Sequence, residues 1–351
     1  MRLEPREQFS YPIAAFAPVI AILVAFVIGS GLILWAGHSP FSAYWELFKG
    51  AFGSANAVNE TLSRSIPLIL TGLCAAVAFR AKFWNIGGEG QFYCGALAAT
   101  YFGTGLITLP PVLMIPFLFV MGALAGGVAL IIPVFLKNRL KVDEVVTTLL
   151  LNFVILLLVG YLIEGPWKDP MSLGWPQAAP IIDEGVLPKL LARGRLHGGL
   201  IVALLMAVLI WIIMRYTVWG YEIRAVGQND KAAEFAGIGI ARTIVLTAMI
   251  SGGLAGMAGV SETIGLKGYL TRDLSPGFGY TGIAVAMLAN LHPLGVIPAA
   301  IFLSAVYIGA DTMSRALNIP NIIAEVLVAL SVLAVLVSVL FARYRLRMRG
   351  A

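Results

Sequence analysis

The sequence predicts an all-α polytopic membrane protein, and three observations carry that prediction. Residues 91–136 and 274–310, runs of 46 and 37, contain no Asp, Glu, Lys or Arg. A bilayer core takes roughly 20 apolar helical residues per crossing, so each run holds two crossings joined by a tight turn. Hydrophobic residues make up 59% of the 351 and charged ones 12%, against about 25% charged in soluble domains. Lys and Arg fall in short clusters between the apolar runs, as loop anchors do. The net charge of +6 belongs to those loops, and its placement argues against a nucleic-acid partner.

Ten apolar segments follow in order: 13–36, 65–80, 88–108, 111–136, 144–163, 198–214, 242–262, 279–291, 294–311 and 321–342. Arg2 and Arg6 precede the first in the manner of a signal peptide. Its apolar run of about 23 residues exceeds the usual 7–15, and no small-x-small cleavage site follows, so it is a retained helix. Segment 39–61, with Pro40, Phe41, Tyr44, Trp45, Leu47 and Phe48, suits an interfacial periplasmic helix. Gly122 and Gly126 in the fourth segment, and Gly252, Ala255, Gly256, Ala258 and Gly259 in the seventh, allow close helix packing. The eighth segment is short and follows the turn-rich stretch 275–279. It is a part-crossing whose irregular lead-in must be buried among helices. The next turn is His292-Pro293-Leu294-Gly295. Cys74 and Cys94 lie in apolar segments without CxxC spacing and are small buried hydrophobes.

Fifteen Lys and Arg fall on one side of this topology and nine on the other. The larger set comprises Arg2 and Arg6, Arg80 and Lys82, Lys137 to Lys141, Arg215 to Arg242, and Arg343 to Arg349. The positive-inside rule puts that set, and with it the N- and C-termini, in the cytoplasm. The loop 164–197, with Trp167 and Trp175, is then periplasmic. Five crossings precede it and five follow. An odd number per half gives two inverted five-helix halves within a single transmembrane domain, 1–351. Topology alone supports the repeat, since no internal sequence match accompanies it.

The cytoplasmic stretch 219–241 stands out. Gly227, Gln228, Asn229 and Asp230 are turn chemistry, and Asn or Asp there can cap a helix starting at Lys231. Ala232, Ala233 and Ala236 form a small-residue face, and Gly237 ends the helix. Such a helix suits docking into another protein's groove; the bland alternative is a plain loop between crossings. Three other polar segments interrupt the apolar pattern. Asn85-Ile86-Gly87-Gly88-Glu89-Gly90-Gln91 opens the third crossing, either as a broken-helix element near a permeation path or as a tight turn with Glu89 paired to Arg80 or Lys82. Asp143 and Glu144 open the fifth, where Asn152 lies deeper beside Thr147 and Thr148. Asn152 either bonds a neighbouring helix or faces a hydrophilic pathway. Glu325, in the tenth segment, is an intramembrane carboxylate by position, with snorkelling to the interface as the alternative.

The 227–238 pattern, Gly-Gln-Asn-x-x-Ala-Ala-x-x-Ala-Gly-Ile, resembles the coupling helix of ABC importer permeases of the ribose and branched-chain amino acid group. Segments 85–91, 143–152, 282–288 and 292–295 are similar to its nucleoside and simple-sugar branch. The resemblance spans about 60–340, with Gly88 and Asn290 as small departures. It implies a permease of the bacterial inner membrane that moves nucleosides, or alternatively simple sugars or another small polar solute. It also implies an ABC ATPase subunit, a second permease subunit in a heterodimer, and an extracytoplasmic substrate-binding lipoprotein. Gly227, Gln228, Asn229, Ala232, Ala233, Ala236 and Gly237 would couple to the ATPase. Asn85, Glu89, Gln91, Asn152 and Glu325 are the pathway candidates. Glu262, Arg272, Asp273 and Asp311, at outer ends of crossings, are contacts for the binding protein by the same resemblance.

No catalytic chemistry is expected of the chain itself. Gly87-Gly88-Glu89-Gly90 lacks the Gly-Lys-Ser/Thr of a phosphate loop, so ATP is hydrolysed by a partner. Ser251 and Ser304 have no base on a shared face, and His38, His197 and His292 are scattered, which disfavours an enzyme, a metal site or a cofactor. An ion-coupled secondary transporter is the rival. It needs intramembrane carboxylates or histidines, and only Glu325 approaches that description.

Overall fold

A computed structural model describes residues 2–5, 11–191, 194–320 and 322–347. Arg6, Arg193 and Arg349, counted above in the charge asymmetry, lie outside these. Each of the ten apolar segments is helical, the fourth as two helices, and three further helices lie between the segments. In order they are α1 (Tyr11–Trp35), α2 (Pro40–Phe52), α3 (Ala55–Arg80), α4 (Gly88–Gly103), α5 (Pro111–Ala129), α6 (Ile131–Leu140) and α7 (Glu144–Glu164). After a long connection come α8 (Gly199–Tyr216), α9 (Val218–Gln228), α10 (Asp230–Phe235), α11 (Ile240–Glu262), α12 (Phe278–Leu288), α13 (Val296–Leu317) and α14 (Ile322–Arg343). One antiparallel pair, β1 (Arg2–Pro5) with β2 (Tyr344–Arg347), joins the ends of the chain in the register Arg2 to Arg347. Among the described residues six helices are long and apolar enough to cross a membrane, or seven if the bent pair α1–α2 is one span.

The chain divides into two compact units, 1–61 with 302–351, and 62–301. In the first, α1 runs against α14, and the chain bends by 114° between α1 and α2. Ala43 and Leu47 of α2 pack with Ile33, Met313, Ile319 and Leu327, while Phe41, Trp45 and Phe48 face outward. Both faces of α2 are therefore apolar, one buried in protein and one available to lipid. The helix stops at Phe52. Gly53 and Ser54 break it, Ser54 Oγ accepts a hydrogen bond from the Ala57 amide at 3.1 Å, and residues 55–61 belong to α3. Hydropathy alone starts that helix ten residues late, because its first turns carry polar side chains that are buried, such as Asn59 and Thr61.

The second unit is built on a three-helix crossing of α4, α5 and α11. Gly95 lies on the backbone of Gly256, Gly126 on Gly252, and Gly259 on the Phe92 carbonyl, so closely that a Cβ at any of these would overlap main-chain atoms. Small residues here let backbone meet backbone, the packing mode available in lipid where burial of apolar surface gives little. A break at Leu130, three residues before Pro133, separates α5 from α6 within one apolar span. The most apolar stretch of α3 is 89% buried, against 28% for α8, so α3 is a central helix and α8 a peripheral one. The connection between α7 and α8 folds back over α11. Ala178, Ile181 and Leu187 donate backbone hydrogen bonds to Leu270, Gly268 and Ile264 carbonyls at 2.8–3.0 Å. Ile181 and Leu187 fill a core with Met114, Leu118 and Val260.

Candidate functional site

Two polar constructions lie in the second unit. The first is a buried seam around residues 84–91, where α3 has ended and α4 begins. This backbone lies among helices, and α7 supplies its hydrogen bonds at four-residue intervals. Glu144 accepts from the Trp84 amide at 3.3 Å, and Thr148 Oγ1 accepts from the Ile86 amide at 3.2 Å. Asn152 accepts from the Gly90 amide at 2.8 Å and donates to the Ile86 carbonyl at 3.0 Å. Residues at i, i+4 and i+8 share one helix face, and irregular backbone at membrane depth must find its partners inside the protein. Lys137 forms an ion pair with Glu144 at the end of this row.

Asn85 and Gln91 face each other as a reciprocal amide pair, 2.9 and 2.8 Å, and Asn85 also donates to Ser251 Oγ of α11 at 3.0 Å. Ser251 donates in turn to the Cys74 carbonyl of α3 at 2.9 Å. Glu89 Oε2 accepts from the Gly279 amide at 2.7 Å, which caps the N-terminus of α12. At that point the starts of α4 and α12 touch, Gly279 lying against the backbone of Gly88 and Glu89. Asn152 also donates to Tyr280 Oη at 3.1 Å. The structure thus gathers four of the five pathway candidates, Asn85, Glu89, Gln91 and Asn152, into one network in which all four are buried. Glu89 is engaged with Gly279, on a different element from Arg80 and Lys82. Glu325 is not part of the network; it belongs to the first unit and is exposed in the first turn of α14. Of the outer-end charges, Arg272 and Asp273 are exposed, but Glu262 is 2% exposed and lies within electrostatic reach of Arg64 and Lys267. Glu262 is therefore no surface contact; its helix continues into a π-turn, Thr263–Lys267.

The second construction is the α9–α10 arm. Thr217 caps α9 by accepting from the Gly220 amide at 3.2 Å, and Asn229 caps α10 by accepting from the Ala232 amide at 3.1 Å. The end of α10 is a Schellman motif. The Gly237 amide donates to Glu234 at 2.9 Å and the Ile238 amide to Ala233 at 3.0 Å, with Gly237 at φ +84°. Gly237 is glycine for that left-handed conformation. Ala232, Ala236, Gln228, Asn229 and Gly237 are exposed, whereas Ala233 and Gly227 are buried. Gly227 touches the Arg80 carbonyl at the end of α3 with no room for a Cβ, and Lys82 Nζ donates to the Gln228 carbonyl at 3.4 Å. Gly227 and Ala233 are thus base residues of the arm, not its outer surface. The residue that sequence reasoning passed over is Phe235, 96% exposed at the tip. Its signal was available: a lone aromatic between charged Lys231 and Glu234 and a terminating glycine.

Comparisons with known proteins show the family of the chain. Residues 57–344 match the family model described as a branched-chain amino acid transport system / permease component. The guanosine ABC transporter permease protein NupP of Bacillus subtilis is 35% identical over 95% of this chain and 97% of its own. The nucleoside ABC transporter permease protein NupB of Lactococcus lactis is 34% identical, covering 89% and 88%. The glucose ABC transporter permease protein TsgB13 of Haloferax volcanii is 32% identical, covering 98% and 93%.

Proposed function

The chain belongs to the permease family of branched-chain amino acid transport systems, and from that premise we propose that it moves nucleosides inward as the membrane subunit of an ATP-driven ABC importer. It is a multi-pass protein of the bacterial inner membrane, and its part is to provide and gate a path. The cargo follows from the likeness to the guanosine and nucleoside permeases. Simple sugars are the second reading, favoured by the glucose permease. Partners in this reading are an ABC ATPase, a second permease in a heterodimer and an external substrate-binding lipoprotein. Ten crossings in two inverted halves, cytoplasmic termini, an interfacial α2 and a periplasmic 164–197 loop complete it, with the charge asymmetry in support.

The observation that carries the mechanism is the exposed tip of α10 on a base with no slack. Phe235, Ala232 and Ala236 would seat in a groove of the ATPase. Gly227 and Gly220 lie in backbone contact with the ends of α3 and α8, so a displacement of α10 is delivered to those helices as a rigid-body movement. The buried seam at 84–91 is then the joint against which the gate works, and Asn85, Glu89, Gln91 and Asn152 act as its pins. The test is uptake of labelled guanosine by cells carrying the complete transporter, with Ala232→Arg and Phe235→Asp variants. Uptake should fall to background while membrane insertion and the amount of protein stay normal. Undiminished ATP-driven uptake in both variants would remove the docking role. Competition of uptake by unlabelled nucleosides but not glucose supports the first cargo, and the reverse supports the second.

A further inference from the structure

A cavity of about 320 Å³ opens where the ends of α3 and α8 meet α9, and three arginines from three elements converge on it. Arg80 comes from the last turn of α3, Arg215 from the last turn of α8, and Arg224 from α9. No Asp or Glu is among the residues lining it. Three guanidinium groups facing one space repel each other and favour an anion between them. The turn at His292 and Pro293 closes another side, and Arg80 Nε donates to the Leu291 carbonyl at 3.2 Å, which fixes that side chain. His292 reports the same positive field. Burial lowers its pKa from the usual histidine value, and the charge of Arg80 lowers it further.

The rest of the cavity is apolar. Trp211, one helical turn before Arg215, and the buried Met214, next to it, line the cavity. On the same face of α8, three and seven residues before Trp211, Val208 and Leu204 are exposed. Tyr216, the last residue of α8, and Trp219, in the first turn of α9, are exposed where α8 ends, the position where aromatic side chains mark the membrane–water boundary. A cationic head space continuous with an apolar strip matches an amphiphile. Guanidinium forks rather than ammonium groups favour a phosphate, which they bind in bidentate fashion. We propose that this cavity binds the phosphate of an anionic phospholipid headgroup, with the acyl chains lying along α8. The inference needs the membrane location only and is independent of the cargo and of the role of α10.

The test uses the full-length chain purified in detergent with whatever partners accompany it, stripped of lipid and titrated with phosphatidylglycerol, phosphatidylcholine or inorganic phosphate. Binding is read by native mass spectrometry. Phosphatidylglycerol should bind saturably and phosphatidylcholine should not. The double variant Arg215→Gln/Arg224→Gln should lose affinity by on the order of tenfold or more. Arg139→Gln, which removes an arginine at a different cavity, should bind as the native chain does. If the double variant fails to fold, Arg215→Lys keeps the charge but loses the fork, and a severalfold weaker phosphatidylglycerol affinity is expected. Equal affinity in the native chain and every folded variant overturns the proposal. Full displacement of phosphatidylglycerol by inorganic phosphate overturns the lipid assignment in favour of a soluble anion. Unchanged lipid binding with loss of a co-purifying protein overturns it in favour of a partner's carboxylates.

Discussion

Replacing Asn152 by Leu separates a pin of the buried seam from a wall of the permeation path. The side chain is fully buried and makes three hydrogen bonds, to the Gly90 amide, the Ile86 carbonyl and Tyr280 Oη. Leucine is close in volume, so the cavity contribution is small and the change removes mainly polar contacts. Hydrogen bonds between helices in membranes average about 0.6 kcal/mol and reach about 1.7. Two of the three groups left behind are backbone groups, the Ile86 carbonyl of the linker and the Gly90 amide in the first turn of α4, which has no intrahelical acceptor. Three average bonds give about 2 kcal/mol and three of the strongest about 5; with two backbone groups left unsatisfied the expected loss is about 3 kcal/mol. Unfolding by SDS titration in mixed micelles measures it, with Phe153→Ala, a change on the exposed face of the same helix, as the reference. If Asn152→Leu unfolds with the reference variant while guanosine uptake falls, the side chain contacts cargo and the seam is no joint.

Three other outcomes follow from the same contacts. Gly256→Val should yield no folded protein, because a side chain there meets the Gly122 carbonyl; Gly31→Ala in α1, with open space around it, should fold normally. The native level of folded Gly256→Val on fluorescence-detected size exclusion would refute the backbone crossing. Glu89→Gln keeps an acceptor for Gly279 but removes the negative charge at the N-terminus of α12, costing about 1 kcal/mol in the same SDS titration, whereas Glu89→Leu leaves that end uncapped and should cost more. Stability should also fall in acid through His197. Its ring is buried outside the spanning helices, with Nδ1 accepting from the Gly199 amide at 3.2 Å, and burial pushes its pKa down to about 4. An unfolded histidine near 6.5 takes up a proton that the native ring refuses, so stability is complete above pH 6.5 and drops by about 3 kcal/mol by pH 4. A His197→Gln variant should lose that slope between pH 6.5 and 4; an unchanged slope would assign the acid sensitivity elsewhere.

The helices were legible because lipid enforces a simple rule. Runs without charge must be helical, and all ten apolar segments are. What the pattern obscured has physical causes. The start of α3 carries Asn59, Thr61, Ser63 and Ser65, which lower local hydropathy although all are buried. The fourth segment breaks at Leu130 while remaining apolar throughout, so hydropathy does not mark the kink; the signal was Pro133, whose ring opposes the carbonyl of Ala129, where α5 ends. In the arm, turn residues placed the caps at Asn229 and Gly237, because capping is local chemistry. The three alanines do not form one face, since Ala233 points inward and Phe235 outward. Which side of a six-residue helix is buried depends on contacts outside it, here with α9 and α11. The polar residues of the seam were found individually from their depth. That Glu144, Thr148 and Asn152 serve a single strip of backbone depends on the strip being there, and its partner lies some 60 residues away.

The seam and the arm have a common mechanical logic. α12 is 11 residues long, about 16 Å at 1.5 Å per residue, half of a bilayer core. A helix that begins at mid-depth exposes amides that lipid cannot satisfy, so its first turn must be met by protein. Glu89 meets it from the first turn of α4, itself a helix that begins at a break. Two helix starts are thereby tied together, and α7 holds the linker that leads to them. The same linker begins one turn after Arg80, the residue on which Gly227 of the arm rests. In the coupling proposed above, a push on α10 would reach the end of α3 directly and the seam within the next few residues. Broken helices at the centre of a transporter need such pins, because an unpinned break would let the gate yield without transmitting the stroke.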